Sequence, residues 1–345
     1  MGLNIREIVK RKEIDFSDLR GKIVFVDAFN ILYQFLSTIR QADGTPLQDE
    51  NGEITSHLSG ILYRNVALLS EGIKLVYVFD GKAPELKSKI HKKRGQAREI
   101  ARERFEEAKQ KEDLDVMRRY SSQLIRLEDE MIVEAKELLG ALGVAVVQAP
   151  SEGEAEAAYL SQRKGFYGVV SQDYDSLIFG APVLIRNLTV SRRKKTYSGY
   201  VEVKPEKIVL EDLLTELEIN RDQLICLAIL VGTDYNPKGI PRIGQKKALQ
   251  LVKEYITPEK IFGSVKEKID ELDEEDYFDW KVVFDLFKKP EVEDFEIEFP
   301  EMNFENVRKI LVEKHGFSEE RINNQLERLQ KLVEAKKQKS LDKWF

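Results

Sequence analysis

Two short runs of β-branched and aromatic residues, KIVFV at 22–26 and LVYVF at 75–79, each stop at an aspartate, Asp27 and Asp80. A run that is apolar at every position predicts a strand buried on both faces, and such strands belong to parallel sheets covered by helices. The signature returns in VAVV (144–147), YGVVS (167–171) and VLI (183–185). Between these runs lie stretches with helical spacing: AFNILYQFLSTI after Asp27, a second near 55–71 behind a Gly/Pro/Asn-containing loop at about 42–53, and a third from about 152 to 164. Residues 86–140 are highly charged and helical in pattern, with an interruption near Asp113 to Asp115 and a close at Gly140 and Gly143. Strands alternating with helices predict βαβ units and an α/β fold with a mostly parallel central sheet flanked by helices. Residues 192–204 alternate like a hairpin, and from 205 onward the pattern reads as almost entirely helical, ending in a polar tail after about 331.

The 345 residues, 42% of them hydrophobic, suffice for one large α/β domain with a helical appendage or for two small domains. No apolar run is long enough to span a membrane, and MGLNIREIVK lacks the apolar region of a signal peptide. Arg6 stands where a myristoylation signal wants Ser or Thr. The single cysteine, Cys226, lies in the apolar run Leu224 to Val231 and reads as a small core residue, compatible with a reducing compartment. A net charge of −6 argues against a generally basic nucleic-acid binder, yet the cations are bunched. Lys87, Lys89, Lys92, Lys93, Arg94, Arg98, Arg102 and Arg104 face only Glu99 and Glu103, and further clusters are Arg192 to Lys195 and the set Lys238, Arg242, Lys246 and Lys247.

Ligands of an open parallel sheet bind beyond the carboxyl ends of its strands. Asp27 and Asp80 end two strands, Asp173 and Asp175 follow the fourth in SQDYDS, and the third leads through QAPS to Glu152, Glu154 and Glu156 at a helix start. Taken singly, each acid has an ordinary explanation: Asp27 as a helix cap, Asp80-Gly81 as a turn. Taken together, unpaired carboxylates at one edge cost on the order of several kcal/mol in repulsion and desolvation, which divalent cations remove. Oxygen donors without zinc-spaced Cys or His point to a hard metal such as magnesium. His57, His91 and His315 stand isolated and read as core or solvated residues. Two such ions suit phosphodiester hydrolysis, in which they activate water and stabilise the leaving oxygen. A P-loop is excluded because Gln245 separates Gly244 from Lys246, and an aspartyl-phosphate phosphatase because Phe29 stands where its second acid is needed.

At this point five blocks carry a resemblance. VFVDAFNILYQF, VYVFDGKAPELK, APSEGEAEA, SQDYDSLIFG and LVGTDYNPKGI resemble, in order, the signature blocks of the flap endonuclease family, structure-specific 5′ nucleases of archaea and eukaryotes. Matching blocks run from Met1 to about Ile322. The resemblance implies a PIN-like 5′ nuclease fold in one domain over 1–330, with a helical arch at about 85–135, a helix–two-turn–helix at about 224–256, and a flexible tail over 331–345. It implies an archaeal member, consistent with the 34% charged fraction of a thermophile. Such a protein is cytoplasmic and nucleoid-associated in an archaeon, nuclear in a eukaryote, and monomeric by itself.

The metal ligands implied by the family are Asp27, Asp80, Glu152 and Glu154 on one side and Asp173, Asp175 and Asp234 on the other, holding two Mg2+ with Mn2+ as a substitute. Spacing does not choose Glu154 over Glu156, since i and i+2 do not share a helix face, and Asp234 is invisible to the strand-end reading. Lys87 and Arg94 match the basic pair that contacts the scissile phosphate, and Tyr33 an aromatic that stacks on a base, although spacing alone makes Tyr33 a core residue. GIPRIGQKKALQLV resembles the duplex-gripping turn, with Lys246 and Lys247 toward DNA and Gly239, Ile240 and Ile243 toward K+. Here Arg242 and Gln245 replace the family's usual Gly and Pro. GFSEERI, with Phe317, Arg40 and Thr55, resembles a pocket for a one-nucleotide 3′ flap, with His315 where lysine is common. Gln338, Leu341, Trp344 and Phe345 match the pattern that binds the sliding clamp (PCNA). The implied substrate is branched DNA with a 5′ flap, with endonuclease and 5′–3′ exonuclease activity in replication and repair. Alternatives are a junction-resolving or exonuclease relative, a catalytically silent DNA-binding clamp adaptor, and a metal-dependent phosphomonoesterase.

Overall fold

The computed structural model describes residues 3–82, 99–108, 110, 113, 116, 120–121, 124–196 and 199–341, with side chains excepted at 193–196 and from 335 on. The strands are β1 (Lys12–Glu13), β2 (Ile23–Asp27), β3 (Lys74–Phe79), β4 (Ala145–Gln148), β5 (Gly168–Val170), β6 (Val183–Arg186), β7 (Arg193–Thr196), β8 (Gly199–Glu202) and β9 (Glu206–Val209). The main sheet has the order β1-β9-β6-β5-β2-β3-β4. Its five-strand heart from β6 to β4 is parallel, as predicted, while β9 runs antiparallel to β6 and carries β1 antiparallel on its far side. β7 and β8 pair as the predicted hairpin.

Continuous apolar runs are explained by cover on both faces. Val24, Val26, Leu75, Tyr77 and Phe79 pack toward the helices Ala28–Thr38, Ser56–Ser70 and Asp129–Ala141. Phe25, Val76, Val78, Val147 and Val169 face the opposite core, built with the helices Gly153–Ser161 and Arg221–Val231. Each of these side chains, fully buried, contributes roughly 1.5–3 kcal/mol relative to exposure. Cys226 sits in this second core, where burial pushes its thiol well above the ordinary range.

Two corrections concern the sheet edge. The region read as helical from 205 onward opens with β9, and β1 had no counterpart in the sequence reading. β9 buries only Ile208 among its four residues, and the helix Leu210–Leu217 follows without a break, so neither period stands out. Near the other end, the helix Glu319–Leu341 runs across the boundary placed at 331, with Ile322, Leu326 and Leu329 buried. Of the stretch expected to form an arch, 99–108 is helical.

Strand order reverses between β2 and β5: β3 and β4 lie on one side, β6 on the other. The carboxyl ends of β2 and β5 therefore border a crevice, where ligand sites of open α/β sheets lie.

Candidate active site

Asp27 closes β2 and caps the helix that follows, accepting from the Asn30 amide at 3.1 Å. Its second oxygen lies 3.4 Å from the Ser171 hydroxyl at the end of β5. The ordinary explanation of Asp27 as a helix cap holds. Asn30 extends the link: its Nδ2 donates to Asp173 at 2.7 Å, and its Oδ1 accepts from the Gln172 amide at 3.1 Å.

Asp80, one residue beyond β3, accepts from the Gly153 amide at 2.6 Å. A Cβ on Gly153 would lie 2.8 Å from that same oxygen, so only glycine lets the helix start approach the carboxylate. Glu152 accepts from the Tyr235 hydroxyl, Glu154 accepts from the Ser176 amide at 2.9 Å, and Asp175 accepts from the Leu3 amide at 3.2 and 3.4 Å. Asp234 immediately precedes Tyr235 after the helix Arg221–Val231, and its charge raises the pKa of Asp173.

The carboxylates of this crevice act on one another. Glu154 is held well above the usual carboxylate range, by desolvation first and then by the charges of Asp175, Asp27, Asp173 and Glu152. Asp173 is also raised, by burial and by Asp234, with Arg186 and the Asn30 bond opposing. Burial and the neighbouring Glu152 push the Tyr235 phenol up. Asp27 and Asp175 are buried, Glu152, Glu154, Asp173 and Asp234 half-buried, and Asp80 exposed, so the group opens on one side. Glu156 turns away: its Oε2 accepts from the Glu293 amide at 3.0 Å, and burial pushes it up to about 7.

Among the described residues no three acidic, His or Cys side chains already surround a common cation position. Several carboxylate oxygens are occupied by amide and hydroxyl donors instead. The donor set nevertheless fits hard divalent ions: it is all oxygen, acid-rich enough to hold the Glu154 carboxyl well above the usual range, and open to solvent at Asp80. Ions entering here replace weak donors and relieve the mutual repulsion.

The other predicted residues divide. Tyr33 is 41% exposed, which sets aside the core reading. Arg40 is half-buried and donates to the Gly44 carbonyl and, at 2.8 Å, to the Ser121 hydroxyl. Thr55 is buried at the start of the helix Ser56–Ser70, and Phe317 is half-buried. Lys246 and Lys247 are exposed in the first turn of the helix Gln245–Tyr255. Gly239, Ile240 and Ile243 form the preceding turn, where Gly239 has φ +60° and a Cβ would meet the Val231 carbonyl at 2.3 Å. Lys87, Arg94, Trp344 and Phe345 lie outside the described residues, and Gln338 and Leu341 are described by their helical backbone alone.

Arg242 keeps the turn despite replacing glycine, by adopting φ +63°. Left-handed backbone costs a non-glycine residue roughly 1–2 kcal/mol, partly offset by the lower chain entropy of a side-chain-bearing residue. Arg242→Gly therefore stabilises by about 0.5–1 kcal/mol, seen as a higher denaturant midpoint at constant slope.

His315 corrects the reading of isolated histidines. It is buried between Asp49 at 2.8 Å and Glu134 at 3.1 Å, a site with no local sequence pattern. His57 is a core residue as expected, and burial lowers it to about 4.

The XPG N-terminal domain model matches residues 3–101, and the XPG I-region model matches 143–234. Flap endonuclease 1 of Thermococcus onnurineus is 49% identical over 348 aligned positions, covering 100% of this chain and 99% of that protein. Among solved structures, flap endonuclease-1 from Methanococcus jannaschii superimposes with a TM-score of 0.75 at 34% identity, covering 97% of this chain and 100% of its own. The catalytic core of Rad2, solved with DNA substrate, shares the fold at TM-score 0.68 and 23% identity, covering 95% of this chain and 100% of its own.

Proposed function

We propose, from the premise that this chain belongs to the flap endonuclease family, that it hydrolyses DNA phosphodiester bonds near the base of 5′ flaps, with associated 5′–3′ exonuclease activity. The observation that carries this reading is the gathering of carboxylates at the β2–β5 crevice, where Asn30 bridges the Asp27 cap to Asp173 and Glu154 lies within reach of the charges of Asp175, Asp27, Asp173 and Glu152. In this reading Asp27, Asp80, Glu152 and Glu154 serve one magnesium ion and Asp173, Asp175 and Asp234 the other, with manganese as a substitute.

The bound ions supply a lowered pKa for water and charge stabilisation of attacking and leaving oxygens. The protein supplies position. Asn30 ties Asp173 to the helix that Asp27 caps, and Tyr235 fixes one oxygen of Glu152. Exposed Tyr33 offers a ring face to an unpaired base. Lys87 and Arg94 contact the scissile phosphate in this reading, and Lys246 and Lys247 the duplex backbone. Arg40, Thr55 and Phe317 form the 3′-flap pocket, where Arg40 shares donors that now serve Gly44 and Ser121. The left-handed Gly239 supports a potassium ion at Gly239, Ile240 and Ile243.

The deciding experiment is cleavage of an end-labelled 5′-flap duplex with and without magnesium, beside nicked and four-way substrates. We expect a cut near the flap base that vanishes with EDTA; a metal-independent cut, or preference for the four-way junction, refutes the reading. Gln338, Leu341, Trp344 and Phe345 carry a separate proposal, docking on the sliding clamp, supported by their spacing on the polar C-terminal stretch. Deleting 338–345 should abolish clamp stimulation and spare basal cleavage, whereas unchanged stimulation refutes the docking.

A further inference from the structure

Gln245 opens the helix Gln245–Tyr255, and its side-chain amide is used in both senses. Its Oε1 accepts from the Glu7 backbone amide at 2.9 Å, and its Nε2 donates to Asn4 Oδ1 at 3.3 Å. Beside it, Lys246 Nζ stands 4.0 Å from the Glu7 carboxylate. These residues line a cleft of about 640 Å3 between the N-terminal segment and the helix tip.

The segment they hold belongs to no helix or strand from Leu3 to Ile5. Leu3 and Ile5 are buried as apolar anchors. Its polar attachments are few: the Ile8 amide turns back on the Ile5 carbonyl at 3.1 Å, Gln245 holds Asn4 and Glu7, and the Leu3 amide donates to both oxygens of Asp175. The path from the helix tip to an acidic residue of the crevice is thus Gln245, Asn4, Leu3, Asp175. A side chain able to donate and accept at once is needed at 245, and neither a carboxylate nor an ammonium does both.

We infer that Gln245 is a positioning residue, coupling the tip of the lysine-bearing helix to the Asp175 carboxylate through residues 3–7. Duplex seated on Lys246 and Lys247 meets this helix tip directly, and Gln245 carries the register of that contact to the acid 70 positions earlier in the chain (245 against 175). The inference rests on the reading that Asp175 serves a divalent ion.

The test compares the full chain with Gln245→Leu, which removes both bonds, and Gln245→Glu, which keeps the acceptor for Glu7 and loses the donor to Asn4. Amide exchange at Leu3 and Glu7, without metal or DNA, reads the latch itself; we expect exchange about 10-fold faster in Gln245→Leu and an intermediate rate in Gln245→Glu. Calorimetric titration with magnesium alone should show affinity about 10-fold weaker, the scale of losses when a group holding a ligand is removed. In Gln245→Leu, single-turnover flap cleavage at saturating DNA should fall with it, while duplex affinity measured in EDTA changes by less than about twofold. Unchanged Leu3 exchange overturns the latch; faster exchange with unchanged magnesium affinity and rate overturns the coupling, as does an equal loss of duplex affinity. A wild-type chain that neither binds magnesium nor cuts flaps removes the functional reading instead, and Leu3 exchange then decides the latch by itself.

Discussion

Replacing Glu154 with glutamine should abolish cleavage while making the metal-free protein more stable. Glutamine keeps an oxygen for the Ser176 amide, now 2.9 Å away, so the local fold survives. It cannot offer the negative charge a divalent ion requires, and the cleavage rate should fall at least about 10^3-fold, or about 4 kcal/mol of transition-state stabilisation. Removing the charge also ends the repulsion from Asp175, Asp27, Asp173 and Glu152. The sign with pH follows from the raised carboxyl: the folded state binds the proton more tightly, so wild type loses stability as pH rises above the ordinary carboxylate range. Thermal melts in EDTA should place the variant above wild type, with a gap that widens with pH. A variant that melts lower in EDTA at neutral pH would show that the burial and crowding of this charge do not cost the fold stability.

His315→Ala should cost about 1–3 kcal/mol, because it takes one partner each from Asp49 and Glu134, which keep only the Asn51 and Glu53 amides and Lys314. The bond from His315 is foremost in holding Asp49 below the usual carboxylate range. Burial would raise Glu134, but bonds from Lys314 and His315 outweigh it and leave it lowered. Depressed acids stabilise the fold above their unfolded pKa, and that contribution disappears as pH falls through the folded values. Wild type should therefore lose stability in acid below about pH 4, and the alanine variant should show a flatter acid limb as well as a lower melting temperature. Equal melting temperatures at neutral pH would leave the trio without a structural role.

The parallel strands were legible because cover on both faces writes an unbroken apolar run, and an aspartate at the end of such a run already implies the crevice. β9 was not, because four residues with one buried side chain carry no period. Helical spacing, which sets Glu156 and not Glu154 on the face of Glu152, did not point to Glu154; what separates them is Glu293, 137 residues from Glu156, whose amide turns Glu156 aside. Asn30 was missed although its position, three after Asp27 on the first helical turn, could have marked it as a bridge. Tyr235 and Ser171 gave no signal, being single neutral residues beside acids. His315 meets partners 266 and 181 positions away, a separation that no local pattern encodes.

The Leu3 amide closes on a carboxylate 172 positions downstream, and Arg11 on Glu206 at a separation of 195. During synthesis, the first residues off the ribosome must wait for Asp175 and for β9 before these partners exist. A chain ending short of Glu206 leaves Arg11 without that partner, so the amino-terminal segment can take its final place only late in synthesis.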